Sequence, residues 1–151
     1  MPALLSGAVQ YPANFAPYYI YTVTLVASPA SFKFMDILFP DSSGNFDRLV
    51  TNDAVLTAGY CFALQDYDST QTTVQVASPG SVVPFTVDNT VRPFGLVKVT
   101  YGSSVQSLTA AVAADLAAGK VLGRMRNHHD NSGTIRMPSA NDIVIILTGA
   151  C

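Results

Sequence analysis

Apolar and polar residues alternate with period two along most of this chain, which predicts strands rather than helices. The pattern is organised around 92–126, a stretch that joins a strand, a turn, a small-residue segment and a second strand without a break. Past Leu96, residues Val97, Lys98, Val99, Thr100 and Tyr101 alternate and are rich in β-branched and aromatic types, as a half-buried strand requires. Gly102-Ser103-Ser104 then supplies a turn. Over 109–118, Leu108, Val112 and Leu116 recur at helical spacing, with Thr109 as a candidate cap and Gly119 as a candidate stop. Fewer than three turns of helix cannot stand without packing, so a short helix and an irregular extended segment both fit. The second half of 120–126 alternates again and predicts a strand.

The same pattern, punctuated by turn residues, continues on either side. Strands are predicted over 19–27, 32–39, 48–51, 55–57, 60–64, 71–77, 82–87, 134–137 and 143–148, the last as a buried strand. Pro84 argues that 82–87 lies at a sheet edge, because proline cannot donate to a ladder. Turns or loops are expected at 40–44, 66–70, 78–81, 88–90, 127–133 and 138–142. Many short strands with turn signals every eight to twelve residues point to an all-β fold, a sandwich or jelly-roll-like barrel, with at most one short helix. A weak echo between 56–62 and 116–122, each placing a small residue and Gly before an apolar strand, is best read as shared turn chemistry.

Residues 1–20 break the pattern. Pro2, Pro12 and Pro17 resist both helix and central strand, while Tyr11, Phe15, Tyr18 and Tyr19 make the segment too aromatic for a free tail. An extended arm is expected over 1–20, lying on its own domain or on a neighbour, followed by a single β-rich domain over 21–151.

Composition sharpens this picture only at a few points. The chain has 151 residues, of which 49% are hydrophobic and only 12% charged, about half the usual share of charge. That balance suits either a surface partly covered by neighbours or a small, well-packed β-domain. A net charge of −2 leaves no basic face for nucleic acid. The first ten residues have no basic residue before their short apolar stretch and do not read as a secretory signal, and no apolar run reaches the length of a membrane span. Cys61 and Cys151 read as free thiols rather than as a disulfide framework.

Candidate chemistry is sparse. His128-His129-Asp130 is the one stretch that invites a metal, yet no further His or nearby Cys completes a ligand set. No G-x-S-x-G elbow or phosphate loop occurs; paired carboxylates could do acid/base work, but the chain contains no Glu. Asp41, Asp47, Asp53, Asp66 and Asp68 sit in or beside expected loops, where Asp is an ordinary turn residue. No catalytic residue, metal or cofactor is therefore expected. Lys120, Arg124, Arg126 and Arg136 gather positive charge in the last third, either as a solvated face or as a docking face for an acidic partner. The tyrosines of the first 21 residues are candidate interface anchors or a core edge.

From Leu56 onward the order of features resembles the small decoration, or cement, proteins that coat the heads of tailed bacteriophages. The residues that carry this resemblance are Leu56-Thr57-Ala58-Gly59-Tyr60, then Arg92-Pro93-Phe94-Gly95-Leu96-Val97-Lys98-Val99-Thr100, then Ala117-Ala118-Gly119-Lys120-Val121-Leu122-Gly123 and the terminal Asn141-Asp142-Ile143-Val144-Ile145-Ile146-Leu147. It implies a non-enzymatic virion protein, made in the host cytoplasm, that sits on the outside of the capsid and bridges major capsid protein subunits. It also implies a homo-oligomer, with a trimer favoured and a dimer allowed, and an N-terminal arm that reaches neighbours. On that reading the expected contacts are Tyr11, Phe15, Tyr18 and Tyr19, with Lys120, Arg124 and Arg126 as a second group. A β-module that binds carbohydrate or another small ligand is the alternative.

Overall fold

The computed structural model describes residues 15–50, 55–56, 59–102, 105–126 and 137–149. Among the described residues ten strands and one short helix follow each other: β1 (Ile20–Thr24), β2 (Ile37–Pro40), β3 (Phe46–Arg48), β4 (Cys61–Ala63), β5 (Thr73–Ala77), β6 (Val82–Thr86), β7 (Leu96–Gly102), β8 (Val105–Ala110), α1 (Ala113–Ala117), β9 (Val121–Met125) and β10 (Ile143–Thr148). They form two five-stranded sheets, ordered β1-β5-β4-β2-β3 and β6-β10-β9-β7-β8. Every ladder is antiparallel. The fold is an all-β sandwich. Both sheets curl strongly, so that a parallel bridge from Leu25 to Phe46 joins the ends of the first sheet and one from Val87 to Leu108 joins those of the second.

The main core lies between the sheets. Ile37, Phe62 and Ala77 face it from the first, and Val83, Phe85, Val97, Val99, Leu108, Leu122, Met125, Val144 and Ile146 from the second. A smaller core fills the other face of the first sheet, where Val23, Leu38, Cys61, Ala63, Val74 and Val76 lie under Phe32. Tyr67 closes over Phe32 with ring centroids 5.3 Å apart. Since successive side chains of a strand point to opposite faces, β2, β4 and β5 supply both cores at once, and all three residues of β4 are buried. Full burial of a Phe or Leu is worth about 1.5–3 kcal/mol, so the centre of this sheet is where the fold gains most.

Gln106 ties the two sheets together. Its side chain reaches from β8 across the core, where Oε1 accepts from the Ile37 N–H at 2.6 Å and Nε2 donates to the carbonyls of Ile37 and Leu49, each at 2.9 Å.

Several expected elements are redrawn. In 32–39 only Ile37 onward is strand; Lys33–Asp36 is a turn in which the Lys33 amide donates to the Asp36 carboxylate at 2.9 Å and Met35 takes φ 74°. Hydrophobic content alone hides such a turn, because its apolar residues are buried as well. Of the expected strand 48–51, Arg48 lies in β3 while Leu49 and Val50 are not in a strand, and Val55 and Leu56 are not in a strand either; Thr51 and Thr57 lie outside the described residues. The ambiguous 109–118 run divides, with Thr109 inside β8 and a five-residue helix beginning at Ala113. That helix is capped from within, since the Asp115 carboxylate accepts from the Val112 N–H at 2.9 Å, and it is held to β7 by the Lys98–Asp115 pair at 3.2 Å. β10 is half-buried rather than buried throughout, with Val144, Ile146 and Thr148 inward and Ile143 at the surface. Pro84 does lie in an edge strand, β6. Strand 134–137 falls outside the described residues apart from Met137, as does His128-His129-Asp130.

Candidate interaction surface

The segment 15–19 crosses from the second sheet to the first, and each residue in it has a fixed place. Phe15 is buried in the main core against Phe34, edge to face at 6.1 Å. Ala16 exchanges two backbone hydrogen bonds with Val82 of β6, at 2.9 and 2.8 Å. The Tyr18 amide donates to Ser81 Oγ at 3.0 Å, and that hydroxyl donates to the Ser78 carbonyl at 2.7 Å. Tyr19 receives the Ser78 N–H on its carbonyl, after which the chain enters β1. Pro17 interrupts the segment between its two anchor points, so the chain changes sheets there rather than extending β6's ladder.

With its backbone fixed, this segment holds two large rings in solvent. Tyr18 is 79% exposed and lies over Gly80; Tyr19 is 64% exposed and stacks on Tyr21 with centroids 5.9 Å apart. Tyr21 is half-buried over the smaller core, where burial, helped by the neighbouring Cys61, pushes its phenol up to about 12. The Cys61 thiol beneath it is also pushed up to about 12 by burial, which leaves it protonated and unreactive.

Among the expected contact residues, therefore, Tyr18 and Tyr19 both lie at the surface, one over Gly80 and the other against Tyr21. Phe15 does not join them: it is large and apolar, the sandwich has room for it, and it serves as the segment's internal anchor. Tyr11 lies outside the described residues. Arg124 and Arg126 form a separate group, alternate residues of β9 and its continuation that both point to solvent. Lys120, just ahead of β9, is half-buried.

Phe94 joins that second group, although residue type gave no hint of it. The Pro93–Phe94 turn is closed by the Gly95 N–H donating to the Arg92 carbonyl at 2.8 Å, and Arg124 donates to the Phe94 carbonyl at 3.0 Å. Phe94 sits at φ 63° and is 59% exposed. A bulky residue in the left-handed region costs of order 1 kcal/mol or more, and here no burial of the ring offsets it. Its combination of strain and exposure was invisible in the sequence, where Pro-Phe-Gly reads only as a turn.

No protein-family profile, characterised protein or solved structure matches the chain.

A cleft of about 260 Å³ opens between the sheets, lined by Phe34, Met35, Pro84, Phe85 and Ile143 together with Asp36 and Gln106. Thr86 lines it as well, and two of its polar side chains already have partners: Asp36 pairs with Arg48 Nε at 3.0 Å and Gln106 is fully engaged in joining the sheets. The carboxylates expected in or beside loops accept backbone hydrogen bonds, Asp41 and Asp68 within their own turns and Asp47 and Asp66 from distant segments. Asp41 accepts from Ser43 and Asn45, Asp47 from Ala30, Asp66 from Phe34 and Asp68 from Thr70 and Gln71. Among the described residues no group of three or more His, Cys, Asp or Glu side chains is placed to hold a metal ion.

Proposed function

We propose that this chain is a non-enzymatic structural protein of a phage virion that decorates the outer surface of the head and stabilises it by bridging major capsid protein subunits. The resemblance of its sequence to capsid decoration proteins supplies the class. The observation that carries the reading is the pair of exposed aromatic groups on anchored backbone, Tyr18–Tyr19 at one place and Phe94 beside Arg124 at another. Rigid aromatic side chains and Arg are the residues that dominate binding energy at protein interfaces, because they bury much area for little loss of conformational freedom. A bridging protein needs two such areas, and this fold offers two.

The cleft between the sheets favours the second reading, a ligand-binding module, but its lining is mostly apolar and its amide and carboxylate are already bonded. That suits a sugar poorly, because sugar recognition needs free polar groups. The test is co-assembly with shells of the major capsid protein encoded by the same phage genome, followed by sedimentation of the shells. The chain is expected to pellet with the shells at a saturating stoichiometry. A chain that stays in the supernatant at every concentration overturns the proposal, and a saturable signal on a glycan array would put the ligand-binding reading in its place.

A further inference from the structure

The two sheets differ on their outward sides. The first carries the smaller core there, under Phe32 and Tyr67. Among the described residues the second has no such cover except near β7 and β9, where the Lys98–Asp115 pair holds α1. An antiparallel sheet with one side in water normally alternates apolar inward with polar outward. β10 does not. Val144 and Ile146 point into the main core, and Ile143, Ile145 and Leu147, on the opposite side, are apolar as well. This is why 143–148 reads as a buried strand, although Ile143 is 64% exposed and Ile145 and Leu147 are half-buried.

Neighbouring strands extend the same side. Directly opposed residues of an antiparallel ladder share a face, so Val82, Leu147, Arg124 and Leu96 form one row across β6, β10, β9 and β7. Pro84, Ile145 and Arg126 form a second, with Arg126 placed by its N–H donating to the Ile145 carbonyl at 2.9 Å. Ile143 beside Thr86 ends the surface. Apolar side chains, half-buried or exposed, thus gather on β6 and β10, and two exposed arginines flank them on the β9 side. Arg124 donates to the Phe94 carbonyl at 3.0 Å, and neither guanidinium pairs with a carboxylate among the described residues.

We propose that this face docks an acidic segment of the major capsid protein, whose apolar residues lie on Pro84, Ile143, Ile145 and Leu147 while its carboxylates pair with Arg124 and Arg126. The inference rests on the capsid reading for the identity of that chain; the charge of the face decides its chemistry. A second copy of this protein would bring two more arginines to the same contact and no carboxylate. Of the chain's own longer segments outside the described residues, 1–14 has no charged side chain and 127–136 has one Asp against one Arg, which leaves no surplus acid for two guanidiniums. Arginine pairs bidentately with carboxylates and lays its stem along apolar surface, so two arginines at alternate positions beside an apolar strip suit such a segment. Phe94, next to Arg124, borders the same contact.

The test is the binding isotherm of the full chain on shells of the major capsid protein encoded by the same phage genome, in about 50 and about 500 mM salt. The parent should bind, and more weakly in the higher salt. Arg126→Glu should weaken binding by about tenfold or more, as should Ile143→Thr/Ile145→Thr, with both variants melting within about 5 °C of the parent. Arg126→Lys keeps the charge, so it should bind more tightly than Arg126→Glu; treated with a water-soluble carbodiimide on the shells, it should gain an amide cross-link from position 126 to a capsid carboxylate, read by mass spectrometry. A parent that stays in the supernatant overturns the capsid reading and this docking with it. A parent that binds while Arg126→Glu or the double isoleucine variant binds equally overturns the docking alone. So does a double isoleucine variant that melts more than about 5 °C below the parent, which would mean that the chain covers this face itself. A parent whose sedimentation mass doubles, and returns to 16.0 kDa in that variant, would put a second copy there instead and overturn it too.

Discussion

Gln106 is where the joining of the two sheets can be measured with one substitution. Gln106→Leu preserves most of the side-chain volume and removes three hydrogen bonds without opening a large cavity. The Ile37 carbonyl keeps a second donor, the Leu49 N–H at 2.9 Å, but the Ile37 N–H loses its acceptor at 2.6 Å and the Leu49 carbonyl loses Nε2 at 2.9 Å. An orphaned buried backbone group costs about 1–3 kcal/mol, so the loss should come to about 3 kcal/mol in total. For a domain of this size that corresponds to a fall of about 6–12 °C in melting temperature, read by calorimetry or by urea titration with an unchanged slope. Gln106→Glu separates the acceptor from the donors: it keeps an oxygen for the Ile37 N–H but sets a carboxylate against two carbonyls, so it should be destabilised at neutral pH and recover part of the loss in acid. A Gln106→Leu variant within about 0.5 kcal/mol of the parent would show that packing alone joins the sheets.

Other consequences can be read in the same assays. Gly123→Ala should cost about 2 kcal/mol, because a Cβ there would meet the Leu147 carbonyl oxygen and Thr148 Cα, both of them backbone of the adjacent strand, which cannot swing away. Stability should fall as pH rises from about 9 to 12: the unfolded chain loses the Cys61 and Tyr21 protons near 9.0 and 10.0, the fold holds both to about 12, and the unfolded state therefore binds fewer protons across that window. In a Cys151→Ser background Cys61 should resist thiol reagents at pH 8 until the protein is denatured; prompt labelling of the folded chain would contradict its burial. Phe94→Gly relieves a positive φ, so stability should hold within about 1 kcal/mol while binding to capsid shells weakens, a separation that a purely structural role for Phe94 would not give.

The strands were legible in the sequence wherever one face is buried and one is wet, as in Val97 to Tyr101 and in 71–77, because alternation is the direct mark of such a strand. Pro84 announced an edge for the same local reason. Gly59 and Gly119, which carry the echo between 56–62 and 116–122, both take positive φ, 88° and 75°, ahead of β4 and β9, as shared turn chemistry requires. What stayed hidden depends on neighbours distant in sequence. Phe15 reads like Tyr18 until Phe34 is seen to cover it, and β10 reads as buried until its outer face is found only partly covered, with Ile143 at the surface.

Whether anchored tyrosines hold this protein on a capsid is decided by the binding isotherm of the chain on shells of the major capsid protein from the same genome, compared with a Tyr18→Ala/Tyr19→Ala variant. Both rings are exposed, so the variant should melt like the parent, while two aromatic anchors worth about 1–2 kcal/mol each predict an affinity lower by about tenfold or more. Equal isotherms for parent and variant would contradict the account.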